Sequence, residues 1–181
     1  MKREPLVIYT VGHSTRELPA FLELLVGHGI KQLVDVRTIP RSRKNPQYNA
    51  ETLPQALREA HIRYTHLAAL GGLRRAASDS INTGWRNASF RGFADYMCGA
   101  EFETGLERLI KLASARPTAI MCAEAVPWRC HRSLIADALV VRGIRAGHIL
   151  SASQVREHKL TSFAEVKRGR ISYPESPDPS A

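Results

Sequence analysis

Residues 6–25 read LVIYTVGHSTRELPAFLELL, and this stretch indicates the fold class of the chain. Its first part, Leu6–Val11, is a continuous apolar run of the kind found in strands that are covered on both faces. Ser14 and Glu17 have the Ser-x-x-Glu spacing of a capping box, which predicts a helix start. Apolar residues then recur at helical spacing, at Leu18, Phe21, Leu22 and Leu25. The stretch therefore predicts a buried strand followed by a helix that packs on the sheet.

The alternation of strand and helix continues along the chain. Further strands are predicted at Gln32–Val36, Arg63–Leu67, Thr118–Cys122 and Arg145–Leu150, and further helices at Thr52–Ala60, Phe90–Cys98, Thr104–Ala115 and Trp128–Arg142. Long irregular segments are predicted at 37–49 and 68–89, and long loops in compact domains are often functional. The pattern predicts an α/β fold with a mostly parallel sheet of about five strands and helices on both faces, a three-layer Rossmann-like arrangement.

Length and composition are typical of one globular domain. The chain has 181 residues, 44% of them hydrophobic, and we expect a single α/β domain over 1–170 with a disordered, Pro-rich tail over 171–181. The N-terminal apolar run is too short for a signal peptide or a membrane span, so we expect a cytoplasmic protein without membrane contact. The odd number of cysteines, Cys98, Cys122 and Cys130, argues against a disulfide framework.

The charge of the chain favours anionic partners. Its formal net charge is +9 at pH 7, which attracts nucleotides, nucleic acids or acidic surfaces. We therefore expect the partner to be an anionic small molecule or a nucleic acid. A charge that serves only solubility is the alternative that composition leaves open.

Reactive and charged residues follow the carboxyl ends of the predicted strands. Because ligands of open parallel sheets bind beyond these ends, we expect the residues to share one pocket. The candidate catalytic residues are His13, Asp35, Cys122, Glu124, Cys130 and His131. The candidate substrate- or anion-binding residues are Ser14, Arg37, Arg41, Gly71, Gly72, Arg129 and Arg132. Some have structural alternatives: a helix cap for Ser14, an ion pair for Asp35 and a turn for Gly71-Gly72.

The segment 122–133 is the strongest single indication of a site. Cys130 is predicted to lie near a helix N-terminus, where backbone N–H groups and the helix dipole lower the pKa of a thiol. Arg129, His131 and Arg132 add positive charge or a protonatable ring beside it. A thiolate in such surroundings is a nucleophile or a metal ligand. The same amides and arginines would equally form an anion-binding site.

Four short motifs resemble those of a known family. They are Thr10-Val11-Gly12-His13-Ser14, Asp35-Val36-Arg37 with Pro40 and Ser42, Leu70-Gly71-Gly72, and Cys122-Ala123-Glu124 with Cys130-His131-Arg132. Through these motifs the chain resembles the family catalogued as domain of unknown function 488, over about residues 6–160. The resemblance implies an α/β fold, and it implies no particular reaction because the function of that family is unassigned.

A more distant similarity is to the rhodanese-like sulfurtransferases. Leu33-Val34-Asp35-Val36-Arg37 is similar to their Asp-x-Arg strand, and Cys122 at a strand end is similar to their persulfide-carrying cysteine. This similarity implies sulfur transfer at Cys122, with Arg129 and Ser133 as the basic and hydroxyl residues of the loop. The chain departs from the pattern in the spacing from Cys122 to Arg129 and in the acidic Glu124 within the loop.

Three classes of function remain open at this point. The first is an enzyme without a cofactor that acts on a phosphate-bearing substrate, a nucleotide or nucleic acid, held by arginines. Its nucleophile would be Cys122 or Cys130. His13 or His131 would transfer protons, and a neighbouring carboxylate would orient the histidine or act as base.

The second class is a nucleic-acid-binding module without chemistry. Three cationic clusters support it: Arg37, Arg41, Arg43 and Lys44 beside Tyr48; Arg74, Arg75, Arg86 and Arg91 beside Trp85; and Lys167, Arg168 and Arg170. In this hypothesis the aromatic rings stack on bases while the cations pair with phosphates.

The third class is a metal site. Its tetrahedral ligands would be Cys122, Cys130, His131 and His13. The spacing is not that of a zinc finger, and neighbouring residues on a helix point about 100° apart, which disfavours joint ligation by Cys130 and His131. The sequence alone therefore assigns no metal to this chain.

Overall fold

The computed structural model describes residues 5–175, which form an α/β fold. The strands are β1 Val7–Gly12, β2 Gln32–Asp35, β3 Arg63–His66, β4 Thr118–Cys122, β5 Arg145–Ser151, β6 Gln154–Glu157, β7 Glu165–Lys167 and β8 Arg170–Ser172. The helices are α1 Leu18–Gly27, α2 Leu53–Glu59, α3 Ala88–Tyr96, α4 Ala100–Ala115 and α5 Arg132–Val141. Short 3₁₀ turns lie at Pro46–Tyr48, Ala68–Leu70 and Pro127–Arg129. Within residues 5–175, no helix has the length and apolar character needed to cross a membrane.

The first six strands form one sheet in the order β3-β2-β4-β1-β5-β6, and β7 pairs with β8 in a separate hairpin. β1 to β5 run parallel, whereas β6 is antiparallel to β5. The predicted α/β class with a mostly parallel sheet is confirmed. β6 and the β7–β8 hairpin are additions to the five predicted strands, and their residues are mostly exposed, so they lack the apolar runs that reveal the buried strands.

Helices cover both faces of the sheet. Neighbouring residues of a strand point to opposite faces, and here they belong to different hydrophobic clusters. Ile8, Val34 and Ile120 pack with apolar residues of α3, α4 and α5. Leu33 and Met121 pack with apolar residues of α1 and α2. The three-layer arrangement predicted from the alternating pattern is therefore present.

The order of the strands creates a crevice between β1 and β4. These strands are neighbours, but α1, which follows β1, and α5, which follows β4, pack on opposite faces. Ligands of open α/β sheets bind at such a point, beyond the carboxyl ends of the strands. The backbone continues to pair past the strands, because the N–H of His13 donates to the carbonyl of Cys122 at 3.0 Å. The residues that follow β1 and β4 thus meet at one edge.

Two predicted helix starts are wrong. Ser14 does not cap α1, because the helix begins at Leu18 with Glu17 at the N-cap position, and the Ser14 backbone is left-handed with φ 50°. The helix predicted from Trp128 begins instead at Arg132. The 3₁₀ turn Pro127–Arg129 precedes it, and the extended backbone of Cys130 (φ −134°, ψ 146°) separates this turn from α5.

The fold continues past residue 171, where the sequence predicts a disordered tail. Ser172 lies in β8, and Tyr173 is 1% exposed. The Tyr173 hydroxyl donates a hydrogen bond to Asp137 Oδ2 at 2.8 Å, so this aromatic ring anchors the C-terminal segment to α5. Residues 171–173 of the predicted tail therefore belong to the folded part of the chain. The rest of the predicted tail, 176–181, lies outside the described residues.

Candidate active site

A cavity of about 530 Å³ opens at the carboxyl ends of β1 and β4. The predicted site residues that line it are His13, Arg37, Arg41, Gly72, Cys122, Glu124, Arg129, Cys130 and His131. The other predicted residues, Ser14, Asp35, Gly71 and Arg132, lie outside its lining. Ser14, Asp35 and Arg132 instead form hydrogen bonds with residues that do line it. The structure thus separates residues that face the cavity from residues that support it.

Cys122, Cys130 and His131 form one cluster in the wall of the cavity, here named the Cys–His cluster. The two sulfur atoms and one imidazole nitrogen all lie within 4.8 Å of one another. Cys130 Sγ is 3.6 Å from His131 Nδ1. Cys122 ends β4, whereas the other two residues lie between the 3₁₀ turn and α5. Two segments that are separate in the sequence therefore bring two sulfur atoms and one imidazole nitrogen close together.

The orientation of the His131 ring is fixed from three sides. Nε2 donates a hydrogen bond to the carbonyl of Val36 at 3.0 Å, so in the neutral ring Nδ1 carries a lone pair, which faces Cys130. Phe93 packs edge-on against the ring with centroids 5.0 Å apart. On the remaining side, a Cβ at Gly72 would lie 2.5 Å from Nδ1. Gly72 is therefore needed to leave room for this imidazole.

The two thiols of the cluster differ in acidity. A hydrogen bond from Cys122, assisted by the neighbouring His131 and Arg132, lowers the pKa of the Cys130 thiol well below its usual value, although burial opposes the shift. The same hydrogen bond, together with burial, raises the pKa of Cys122. Cys130 is therefore the more acidic thiol of the pair.

The buried side chain of Arg132 holds the loop that connects β4 to the 3₁₀ turn. This side chain is 1% exposed; it donates one hydrogen bond to the carbonyl of Glu124 and another to Thr10 Oγ1 at 3.1 Å. Gly12 allows the loop to lie against β1, because a Cβ there would come 1.9 Å from the same carbonyl oxygen. The Glu124 carboxylate is left at the exposed side of the loop, where it accepts a hydrogen bond from the N–H of Val126 at 3.1 Å.

A buried ion pair between Asp35 and Arg37 lies beside the cavity, with only Arg37 in the lining. The Asp35 carboxylate accepts hydrogen bonds from Arg37 Nη2 at 2.6 Å and from the Tyr64 hydroxyl at 2.8 Å. Arg37 also donates to the carbonyl of Tyr48 at 2.6 Å. Asp35 is 0% exposed and Arg37 6%. Asp35 is thus committed to its ion pair, the structural alternative that the sequence left open.

His13 is a neutral ring held by its neighbours. Its Nδ1 donates to the carbonyl of Ser14 at 2.8 Å, and Arg37 Nη1 lies 3.4 Å from Nε2. The ring stacks on Tyr48 with centroids 4.1 Å apart. Burial lowers the pKa of His13 to about 4, so the lone pair of Nε2 is present at neutral pH. Nε2 can therefore accept a hydrogen bond, and it faces Arg37.

Of the two aromatic rings proposed to stack on bases, Tyr48 is buried and Trp85 is partly buried. Tyr48 is 0% exposed and is covered by His13 and Phe21, so the prediction that it stacks on a base is wrong. Trp85 packs between Phe90 and Phe163, with ring centroids 4.9 Å from each. The cationic segment beside Tyr48 therefore lacks the exposed aromatic ring that the binding-module hypothesis requires there, and the ring of Trp85 is largely engaged by its aromatic neighbours.

One residue of the rhodanese-like pattern is turned away from the cavity. Cys122 and Arg129 line the cavity, as that hypothesis requires. The Ser133 hydroxyl, however, donates to the carbonyl of Cys130 at 2.9 Å, and this residue is 6% exposed. Sulfur transfer at Cys122 stays a prediction, without Ser133 as a group that contacts the substrate.

The model of the family described as domain of unknown function DUF488 matches residues 17–139. The chain belongs to the DUF488 family. Among curated proteins and among solved structures, no match is found. The family resemblance inferred from the motifs is confirmed, and because the family description assigns no reaction, function has to be argued from the site.

This DUF488 protein also contains a buried series of hydrogen-bonded polar side chains that the sequence does not predict. Asp137 Oδ1 lies 2.7 Å from His158 Nε2, and His158 Nδ1 lies 2.9 Å from His148 Nε2. His148 Nδ1 is 2.7 Å from Thr10 Oγ1, the atom that also accepts a hydrogen bond from Arg132. This series of hydrogen bonds therefore includes Arg132, the residue that holds the loop after β4. Its sequence signal is Asp137, a carboxylate among the buried residues of α5 that must find partners.

We expect the stability of this DUF488 protein to fall as the pH is lowered from about 6.5 to about 4. Burial lowers the pKa of both His13 and His148 to about 4, so between these values the unfolded chain binds protons that the folded chain excludes. Each histidine then contributes a slope of about 1.4 kcal/mol per pH unit to the free energy of unfolding. Urea unfolding between about pH 7 and pH 5 measures the slope.

The matched variant for this prediction is His148→Asn, which removes one of the two titrating groups. Its free energy of unfolding should depend less steeply on pH than that of the wild type, whatever its stability at neutral pH. Equal slopes in the two proteins would contradict the assignment of His148 as a neutral buried group.

Proposed function

We propose that the cavity is the active site of an enzyme that acts on a phosphate-bearing small molecule. One observation carries the proposal: the Cys–His cluster and the exposed cationic side chains Arg41 and Arg129 line the same cavity. Reactive sulfur and nitrogen atoms therefore lie beside groups that suit phosphate oxygens. The position at a crevice of a parallel sheet, where ligands of such folds bind, supports the same conclusion.

The arginines of the cavity differ in how free they are to bind an anion. Arg37 is occupied by Asp35. Arg41 pairs with Glu51 at 2.6 Å, but the two side chains are 68% and 60% exposed, and such ion pairs exchange partners at little cost. Within residues 5–175, the guanidinium of Arg129 has no hydrogen-bond or ion-pair partner. Arg129 is therefore assigned as the main phosphate-binding group and Arg41 as the second.

The rim of the cavity indicates that the substrate has an organic part. Ile39 and Leu73 both line the cavity, and they are 63% and 69% exposed. Apolar side chains at the mouth of a pocket cover apolar parts of a ligand, while a few polar groups orient it. A nucleotide, with one phosphate end and one flat ring, has the required character. The nucleic-acid alternative is less favoured because Tyr48 is buried and Trp85 is packed between Phe90 and Phe163.

Chemistry in this cavity is assigned to the Cys–His cluster and to Glu124. The cluster provides two sulfur atoms and an imidazole nitrogen within 4.8 Å. Glu124 is two residues after Cys122, lines the cavity and has an exposed carboxylate, which suits it to accept a proton during the reaction. Arg132 is a positioning residue in this scheme, since it holds the carbonyl of Glu124 from the protein interior.

The first test is binding of inorganic phosphate and of adenosine monophosphate by isothermal titration calorimetry. Arg129→Ala should weaken both by about tenfold or more, the loss expected for a charge-assisted hydrogen bond. The control Arg108→Ala removes the same charge from an exposed position on α4 and should leave both affinities unchanged.

A second pair of variants tests the organic part of the substrate. Ile39→Ser and Leu73→Ser should weaken adenosine monophosphate binding and leave phosphate binding unchanged, because they remove only apolar surface. Absence of saturable binding of both probes would contradict the proposed function. Equal effects of Arg129→Ala and Arg108→Ala would exclude the cavity as the binding site.

A further inference from the structure

We propose that the Cys–His cluster binds a zinc ion through Cys122, Cys130 and His131, with a fourth coordination position open to the cavity. The proposal adds a metal to the proposed active site, and its argument does not depend on what the substrate is. Two thiolates and an imidazole are soft to intermediate ligands, which suit zinc and do not suit magnesium or calcium.

The spacing of the three donor atoms fits zinc. Zinc binds sulfur at about 2.3 Å and imidazole nitrogen at about 2.0–2.1 Å, so donor atoms of a tetrahedral site lie roughly 3.5–3.8 Å apart. Cys130 Sγ and His131 Nδ1 are already 3.6 Å apart. All three donor atoms lie within 4.8 Å of one another, so small side-chain rotations complete the site.

The surroundings of His131 are those of a metal ligand. In metal sites, the histidine ring nitrogen that does not bind the metal usually donates to a carbonyl or carboxylate, which fixes the tautomer. Here Nε2 donates to the carbonyl of Val36, and Nδ1 faces Cys130. Gly72 leaves the space in which the ring lies, as a Cβ would be 2.5 Å from Nδ1. The ring is thus held in the orientation that metal binding requires.

The local backbone removes the objection that the sequence raised. Neighbouring residues of a helix point about 100° apart, but Cys130 and His131 do not lie within a helix. Cys130 is extended, with φ −134° and ψ 146°, and His131 occupies the N-cap position before α5. This change of conformation between the two residues lets their side chains converge on one point.

The fourth ligand proposed from the sequence, His13, is not part of the cluster. Its Nδ1 donates to the carbonyl of Ser14, and its Nε2 faces Arg37. Among the histidines, cysteines and acidic residues between 5 and 175, the group around the two thiols contains only the three named ligands. Catalytic zinc sites typically have three protein ligands and one open position, whereas structural sites have four. The open position here faces the cavity.

Zinc binding is tested on the full chain, reduced and in phosphate-free buffer, by equilibrium dialysis and elemental analysis. The wild type should hold about one zinc ion per chain. Cys122→Ser, Cys130→Ser and His131→Gln should each weaken binding by about tenfold or more. Cys98→Ser is the matched control, because this cysteine is exposed near the start of α4, and it should bind like the wild type.

Two measurements on the wild type keep the test valid if a variant does not fold. Cobalt in place of zinc should give an intense sulfur-to-cobalt charge-transfer band in the near ultraviolet. Zinc should protect Cys122 and Cys130, but not Cys98, from alkylation by iodoacetamide, and a chelator should reverse this protection. Folded, reduced protein that binds no zinc, or a control that loses zinc as the ligand variants do, would overturn the proposal. Because no phosphate is present, this result is independent of the Arg129 test.

Discussion

Replacing Asp35 with alanine is expected to lower the free energy of unfolding by about 3–5 kcal/mol. The carboxylate is 0% exposed, and it accepts three hydrogen bonds from Arg37 and one from the Tyr64 hydroxyl. Without it, the Arg37 guanidinium stays in the protein interior with its charge uncompensated, and a buried charge without a partner is very unfavourable. Urea unfolding followed by circular dichroism measures the loss.

The matched control uses the exposed ion pair at the same cavity. Glu51→Ala removes the carboxylate that pairs with Arg41, but both side chains are mostly exposed, so no measurable change in stability is expected. Adding Arg37→Met to Asp35→Ala should recover part of the loss, because the uncompensated charge is then absent. Asp35→Ala with wild-type stability would contradict a structural role and would return Asp35 to the candidates for catalysis.

Replacing Gly12 with alanine is the second change for which a large effect is expected. The added Cβ would lie 1.9 Å from the carbonyl oxygen of Glu124 and 2.8 Å from the Cα of Ala125. These are backbone atoms, so no side chain can rotate away, and the loop has to move. We expect a loss of about 3 kcal/mol, at the upper end of the range for overpacked sites. The displaced loop should also weaken phosphate binding in the cavity.

Gly27→Ala is the control for this substitution. Gly27 is the last residue of α1, and a Cβ there would meet no atom within 4 Å. Alanine favours helix over glycine by about 0.5–1 kcal/mol, so this variant should be as stable as the wild type or slightly more stable. Equal stability of Gly12→Ala and Gly27→Ala would show that the loop does not depend on close contact with β1.

The sequence was sufficient to predict the fold class and to predict that several candidate residues line one cavity. Thr118–Cys122 is a strand with the predicted bounds, because a buried strand has a short continuous apolar run in the sequence. The alternation of strands and helices predicts parallel pairing, and parallel pairing brings the carboxyl ends of strands together. His13 and Cys122 were therefore predicted to meet, although more than a hundred residues separate them in the chain.

The roles of individual side chains were decided by tertiary structure. Asp35 and Glu124 look equally available in the sequence, yet Asp35 is buried in an ion pair and Glu124 is exposed. Tyr48 follows a cationic loop, but it is buried because His13 and Phe21 pack on its ring. Such contacts join distant segments, and no local pattern of hydrophobic and polar residues records them.

The same distinction explains the Cys–His cluster. The sequence indicates that Cys130 and His131 lie near a helix start, and from helical geometry it disfavours their acting together. The extended backbone at Cys130 and the hydrogen bond from His131 to Val36, 95 residues away, reverse that conclusion. Sequence periodicity reports which face of an element is buried. The direction of a particular ring depends on partners that only the folded chain brings within hydrogen-bond distance.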